Sequence, residues 1–333
     1  MAVVVCLLMG LETVELVAPY MVRFSRILYH ITVPHKGSDL KGGQSMGKLI
    51  KVLTSVMCMT LILEFSMAHA FCSATHIYIA QKVFHVSAID LNYGSVAPDL
   101  GIYADEDKWP TAFHDTHYNY IDLRSDARGL RQNLFTKGWI THNEAWGADY
   151  YAHRENPLHN NVCATDGYYQ GYVIEKACLL SKQTGITPDF AHLVIEVALD
   201  LLLCDQVYAR QNLGEELLNA SLNRSSLDRT LLAKVLVREE PQRTDWRTLA
   251  STELAFRGVV DMYARPLALP SPDNEEALAL LAVKLAKFMG IEDITEDEIL
   301  ALLNTATDLC KDDYKSVMRY VIVAIKSKLG IWR

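Results

Sequence analysis

The feature that most constrains the fold is the helical spacing of apolar residues along most of the chain after residue 70. Apolar side chains recur at three- and four-residue intervals in segments 74–84, 139–151, 189–210, 226–237, 274–289, 296–309 and 312–329. The sequence shows no alternating β pattern and no glycine-rich phosphate loop. We therefore predict an all-α, multi-helix protein with long loops at 86–137 and 154–170, which are long enough to be functional.

Two helix starts have recognisable signals. Pro188 followed by Asp189 is typical of a helix start. Thr295 and Glu298 have the spacing of a capping box. The last three helical segments form a predicted C-terminal extension, 271–333, which resembles a scaffold or a partner-binding attachment but carries no motif, so no protein partner can be inferred.

Residues 46–70 read as an export signal. Lys48 and Lys51 form a positive region, an apolar run covers 52–67, and Ala68-His69-Ala70 has the form of a cleavage site. We expect cleavage between Ala70 and Phe71 and an exported, periplasmic or secreted protein, with an over-extended N-terminus at 1–45. A single membrane anchor is the alternative, although the apolar run is short for a bilayer span.

Cysteine usage is compatible with export. Five of the seven cysteines follow residue 70, so disulfides are permitted, the odd count leaves one cysteine unpaired, and the connectivity cannot be read. Cys72 also raises the alternative of a lipid anchor, although Phe71 separates it from the cleavage site.

The histidines are concentrated in one part of the chain. Eleven are present, and none follows His192. This distribution favours one metal centre over random usage. The formal net charge of -8 argues against the basic surface of a nucleic-acid binder, although bound metal ions would weaken that argument.

His192 and Glu196 are four residues apart in an apolar helical segment. This spacing places them on one helical face, and imidazole and carboxylate are both zinc ligands. A buried carboxylate is costly unless it is paired or bound to metal. A core salt bridge is the alternative for this pair taken alone.

A second set of ligand types lies in the predicted helix 139–151. Offsets of seven and four residues stack His142, Asp149 and His153 along one helical stripe, and Glu144 is rotated away from it. A polar helix face is the alternative. Asp99 lies in a predicted tight loop, followed by His114 and His117, and His76 is the sixth residue after the predicted cleavage site.

In this order the segments resemble the zinc-dependent phospholipase C superfamily, which includes fungal single-strand-specific nucleases. The resemblance covers about 71–200 and implies an all-α catalytic domain, set here at 71–270, that holds three zinc ions. It implies a set of ligand residues and makes Asp99 also a possible general base: Phe71, His76, Asp99, His117, His142, Asp149, His153, His192 and Glu196. Phe71 would bind through its backbone amino and carbonyl groups.

Three details of the match are open. His117 is preferred to His114 because an aromatic residue and an acidic or amide residue follow it. His153 fits the helical stripe, whereas His159 fits the family's Pro-Leu-His sequence. The family separates its helical His and Asp by four residues, whereas His142 and Asp149 are seven apart.

The resemblance implies a hydrolase acting on phosphoric ester bonds. A phospholipid or another phosphodiester is the expected substrate, with possible peripheral membrane contact, and the acidic charge makes nucleic acid less favoured. The alternatives are a single-strand-specific nuclease, an exported metal-binding protein without activity, and an all-α interaction module.

Overall fold

The computed structural model describes residues 72–104, 109–118, 122–158, 171–226, 228, 230–232, 246–288 and 294–331. The described part of the chain is helical and contains no β-strand, which confirms the predicted all-α class. It lies within one compact unit, Val56–Arg333. None of its helices is both long enough and apolar enough to span a bilayer. The predicted signal at 46–70, Phe71 and His159 lie outside the described residues.

The N-terminal half of this unit is built from short helices. They are α1 (Ser73–Phe84), α2 (Ile89–Val96), a 3₁₀ helix (Ala97–Tyr103), α3 (Ala112–His117), α4 (Gly129–His142) and α5 (Ala148–His153). The predicted long loop at 86–137 is therefore wrong, since it contains three of these helices and the start of α4. Short, almost fully buried helices such as α2 have no polar face and so give no amphipathic signal.

The predicted continuous helix at 139–151 is also wrong. α4 ends at His142, and α5 begins at Ala148. Between them, the Asn143 side chain accepts hydrogen bonds from the backbone N–H groups of Ala145, Trp146 and Gly147 at 3.0, 3.0 and 3.2 Å. These bonds replace the helical pattern with a turn, because an Asn side chain competes effectively for nearby backbone donors.

The second half contains longer helices. They are α6 (Tyr172–Thr184), α7 (Pro188–Val207), α8 (Leu213–Asn223), α9 (Trp246–Leu267), α10 (Asp273–Phe288), α11 (Glu296–Cys310) and α12 (Tyr314–Lys328). α7 starts at Pro188, with Thr187 capping the Phe190 N–H. The capping box predicted at Thr295 and Glu298 is confirmed. α9 lies in a segment for which no helix was predicted.

One hydrophobic core joins both halves. α7 packs against α6, α11 and α1, and α12 packs against α1. The C-terminal helices therefore share a core with the helices that carry the predicted ligands. Cys72, Cys204 and Cys310 are buried free thiols, so the expectation of one unpaired cysteine was wrong, whereas Cys178 is disulfide-bonded.

Candidate metal centre

Eight predicted ligand side chains gather in three groups of potential metal ligands. The groups are His76, His142 and Asp149; Asp99, His117 and His142; and His153, His192 and Glu196. Within each group the ligand atoms lie within 4.8 Å of one another. Buried groups of this kind could hold metal ions. His142 belongs to two of these groups, so the two groups have one side chain in common.

Asp149 lies at the meeting point of the first two groups. Its Oδ1 is 3.4 Å from His76 Nε2, and its Oδ2 is 3.1 Å from His142 Nε2 and 3.8 Å from His117 Nε2. The side chain is fully buried. Asp149 was predicted as part of one continuous helical stripe. In the structure, the turn at 143–147 brings Asp149 next to His142 instead.

Asp99 completes the second group from the 3₁₀ helix rather than from a loop. Its Oδ1 is 3.2 Å from His117 Nε2 and 3.3 Å from His142 Nε2. His117 is buried, whereas the His114 side chain is 58% exposed and contributes to none of the three groups. The preference for His117 over His114 thus agrees with the geometry.

The third group is the most accessible of the three. His192 Nε2 is 3.0 Å from Glu196 Oε1 and 3.3 Å from His153 Nε2. The His153 and His192 side chains are 13% and 18% exposed, and Glu196 is fully buried. Among the described residues, Glu196 Oε2 has no hydrogen-bond donor. A ligand or substrate would therefore reach the centre from the side of His153 and His192.

The hydrogen bonds at Nδ1 fix which ring nitrogen of two histidines faces the centre. His142 Nδ1 is 2.8 Å from the carbonyl oxygen of Ser95, and His153 Nδ1 lies 2.5 Å from a Glu144 oxygen. His117 Nδ1 contacts the Thr116 hydroxyl at 2.9 Å and the Phe113 carbonyl oxygen at 3.2 Å. Carbonyl and carboxylate oxygens only accept, so Nδ1 of His142 and of His153 carries hydrogen, and the Nε2 lone pair of each neutral ring is directed inward.

These lone pairs face the oxygens of Asp99, Asp149 and Glu196. Lone pairs repel one another, so such a centre needs a proton or a cation between its atoms. Burial lowers the pKa of His142, but Asp149 and Asp99 more than offset this and raise it well above its usual range. This raised pKa favours a proton on His142, and a metal ion bound by its Nε2 would displace that proton.

Two buried acidic residues that support the centre escaped prediction. Asp200 lies one turn after Glu196 and accepts from the backbone N–H groups of Ala74 and Thr75 at 2.9 and 2.7 Å, which fixes the start of α1 and hence His76. Burial raises the pKa of Asp200 to about 6, although these hydrogen bonds act against it. The repeat of acidic residues at 196 and 200 on an apolar helix was the available signal.

Glu144 is the second such residue. It was expected to point away from the stripe, but it is buried behind His153, with Arg154 Nε donating to its Oε2 at 3.1 Å. Burial raises the pKa of Glu144, but His153 and Arg154 outweigh it and hold that pKa below its usual range. Glu144 therefore lies behind the ring of His153 and outside the three ligand groups.

Comparison of the chain with protein-family models, curated proteins and solved structures gave no match.

Proposed function

We propose that the three groups hold up to three zinc ions and that the protein is an exported hydrolase of phosphoric esters, most similar in action to phospholipase C. The observation that carries this proposal is the convergence of imidazole Nε2 lone pairs and carboxylate oxygens in a buried centre. Mixed nitrogen and carboxylate oxygen donors suit zinc. The two groups that share His142 are fully buried, and the third opens towards solvent.

Zinc, when bound, supplies hydroxide at neutral pH and offsets the negative charge of a phosphoryl group. The chain's own residues would position the metal ligands and accept a proton. The Ser95 carbonyl oxygen positions the ring of His142, and the Thr116 hydroxyl and Phe113 carbonyl oxygen position the ring of His117. Asp99 is the proposed ligand and proton acceptor, because its Oδ1 lies between these two rings. The partial exposure of His153 and His192 marks the side from which a phosphodiester would approach.

The test combines metal analysis with hydrolysis assays on the exported, zinc-loaded protein. We expect bound zinc and hydrolysis of a chromogenic phosphodiester, both reduced in Glu196→Gln and unchanged in the exposed control Glu276→Gln. Hydrolysis of phosphatidylcholine would then indicate a phospholipase, and hydrolysis of single-stranded DNA would indicate a nuclease. Zinc without any hydrolysis would leave a metal-binding protein, and the absence of zinc would refute the proposed centre.

We also propose that Phe71 becomes a zinc ligand once residues 1–70 are removed. In support, the adjacent Cys72 is buried beside the centre: burial, then the charges of Asp200 and Glu196, raise the pKa of its thiol well above its usual range. The α-amine of Phe71 is part of a peptide bond before cleavage. The uncut precursor should therefore hold one zinc fewer than the cleaved protein, and equal zinc content in the two forms would refute this role.

A further inference from the structure

We propose that Glu144 is a positioning residue that holds His153 in its metal-binding orientation. It also connects His153 to the end of α3, which carries His117. This role rests on the proposed function, since it assigns to Glu144 the alignment of one proposed zinc ligand. Glu144 does not itself belong to any of the three ligand groups.

The first line of argument is the use of both Glu144 oxygens. Oε1 lies 2.5 Å from His153 Nδ1, and Oε2 accepts from Arg154 Nε at 3.1 Å. The bond to Nδ1 fixes the tautomer of His153, so that Nε2 faces His192 and Glu196. Carboxylates behind metal-binding histidines orient the ring in this way and increase its basicity.

The second line of argument is the backbone position of Glu144. Its N–H donates to the carbonyl oxygen of His117 at 3.0 Å. The preceding residue, Asn143, closes the turn between α4 and α5 and so fixes the direction of the Glu144 backbone. One residue thus connects the end of α3, which carries a ligand of the second group, with His153 of the third group.

The third line of argument is the energetic balance of a buried charge. The Glu144 side chain is only 3% exposed, and a buried carboxylate is strongly destabilising unless its charge is compensated. Arg154 compensates the charge from the solvent side, where its guanidinium also stacks over the Tyr118 ring at 5.2 Å. Because Arg154 Nε donates to Oε2, Oε1 remains available to accept from His153.

The experiment compares Glu144→Ala, Glu144→Gln and the matched control Glu155→Gln, a carboxylate two residues beyond His153. Zinc affinity is measured by competition with a chelator, and site geometry by the visible absorption spectrum of the cobalt-substituted protein. We expect Glu144→Ala to weaken one zinc by about 10- to 100-fold. Glu144→Gln should lose less, because its amide oxygen still accepts from His153, and Glu155→Gln should match the wild type.

A double variant separates positioning from general stability. In a His153→Ala background, Glu144→Ala should cause no further loss of zinc affinity, because the ring that it orients is gone. An equal loss in both backgrounds would overturn the role, as would a Glu144→Ala protein with wild-type affinity and an unchanged cobalt spectrum. If Glu144→Ala does not fold, Glu144→Leu, which keeps the bulk of the side chain but cannot accept from His153, gives the decisive spectrum, and an unchanged one overturns the role.

Failure of this role and failure of the proposed function give different results. A wild-type chain that binds no zinc would overturn the proposed function and this role together. A zinc-loaded, active wild type whose Glu144 variants bind zinc normally would overturn this role alone.

Discussion

At the scale of single residues, His114 and His117 allow two histidines on one short helix to be compared. Both lie in α3, three residues apart. His117 is buried with its Nε2 3.2 Å from Asp99, whereas the His114 ring faces solvent and stacks on Tyr118. The two residues have the same chemical type and lie on the same helix, but His117 is buried and His114 is exposed. A difference in metal affinity between their variants therefore does not arise from helix propensity.

We predict that His117→Asn lowers both zinc content and phosphodiester hydrolysis, while His114→Asn changes neither. Loss of a residue that hydrogen-bonds to a metal ligand typically costs about 10- to 100-fold in metal affinity. Loss of the ligand itself should cost at least about 100-fold. Metal analysis and hydrolysis rates on the two purified variants provide the measurement. Equal effects at the two positions would remove His117 from the centre.

A second residue-scale prediction concerns Asp228, a fully buried carboxylate outside the centre. No hydrogen-bond donor among the described residues reaches either of its oxygens. Burial, and then the charge of Asp90, raises its pKa to about 8. The folded protein therefore holds a proton that the unfolded chain releases near pH 3.9. The stability linked to this proton is complete below about pH 4 and is lost as the pH rises to about 8.

Asp228→Asn removes this ionisation while keeping the shape and a donor for Asp90. We expect a free energy of unfolding similar to wild type near about pH 4.5 and higher by about 1–3 kcal/mol near about pH 8.5. Urea unfolding at both pH values is the measurement, with the exposed Asp312→Asn as control. A difference that does not grow with pH would contradict the assignment.

At the scale of elements, two glycines set the distance between α2 and α4. A Cβ added at Gly94 would lie 2.0 Å from the carbonyl oxygen of Phe135, and one added at Gly138 would lie 2.1 Å from that of Leu91. Such close approach of two backbones is possible only without side chains. It brings His142, at the end of α4, within 2.8 Å of the Ser95 carbonyl in α2.

Gly138→Ala should force these helices apart and destabilise the protein by about 1–3 kcal/mol, with a parallel loss of zinc affinity. The control is Gly258→Ala, since a Cβ at that exposed site in α9 meets nothing within 4 Å. That change should stabilise the protein by about 0.5–1 kcal/mol, because alanine is the better helix former. Thermal unfolding and chelator competition measure both, and a neutral Gly138→Ala would contradict the packing argument.

Elements also show how far the sequence could lead. His192 and Glu196 were predictable because one helical turn fixes their relation and the chain between them is uninterrupted. The relation of His142 to Asp149 was not predictable, because it depends on a turn that a single side chain, Asn143, closes. Glu144 was missed for the same reason, since its direction follows from that turn and from its bond to His117.

Short buried helices were the other limit at this scale. α2 and α3 lie where a long loop was predicted, because almost every residue of α2 is buried and the polar face that reveals a surface helix is absent. The longer C-terminal helices keep one polar face, so α11 and its capping box were predictable. The all-α class was therefore accessible from sequence, whereas the assembly of the centre required tertiary contacts.

At the scale of the whole molecule, the proposed ligand residues lie on six elements. They are α1, the 3₁₀ helix, α3, α4, α5 and α7. Helix α7 carries His192 and Glu196 and also packs against α11, so the centre and the C-terminal helices share one support. Metal ions in the three groups would join segments that are distant in sequence. Binding energy would then add directly to the stability of the folded chain.

Zinc should therefore raise the thermal stability of the entire unit in one transition. An ion at about 1,000 times its dissociation constant adds about 4 kcal/mol, and about 1 kcal/mol corresponds to roughly 2–4 °C in a domain of 150–250 residues. We expect a strong chelator to lower the melting temperature by about 10 °C or more and added zinc to restore it. In Glu196→Gln, with one group weakened, the shift should be smaller. A wild-type melting temperature that is indifferent to both chelator and zinc would show that the three groups hold no metal, because any ion bound only by the folded state must move this transition.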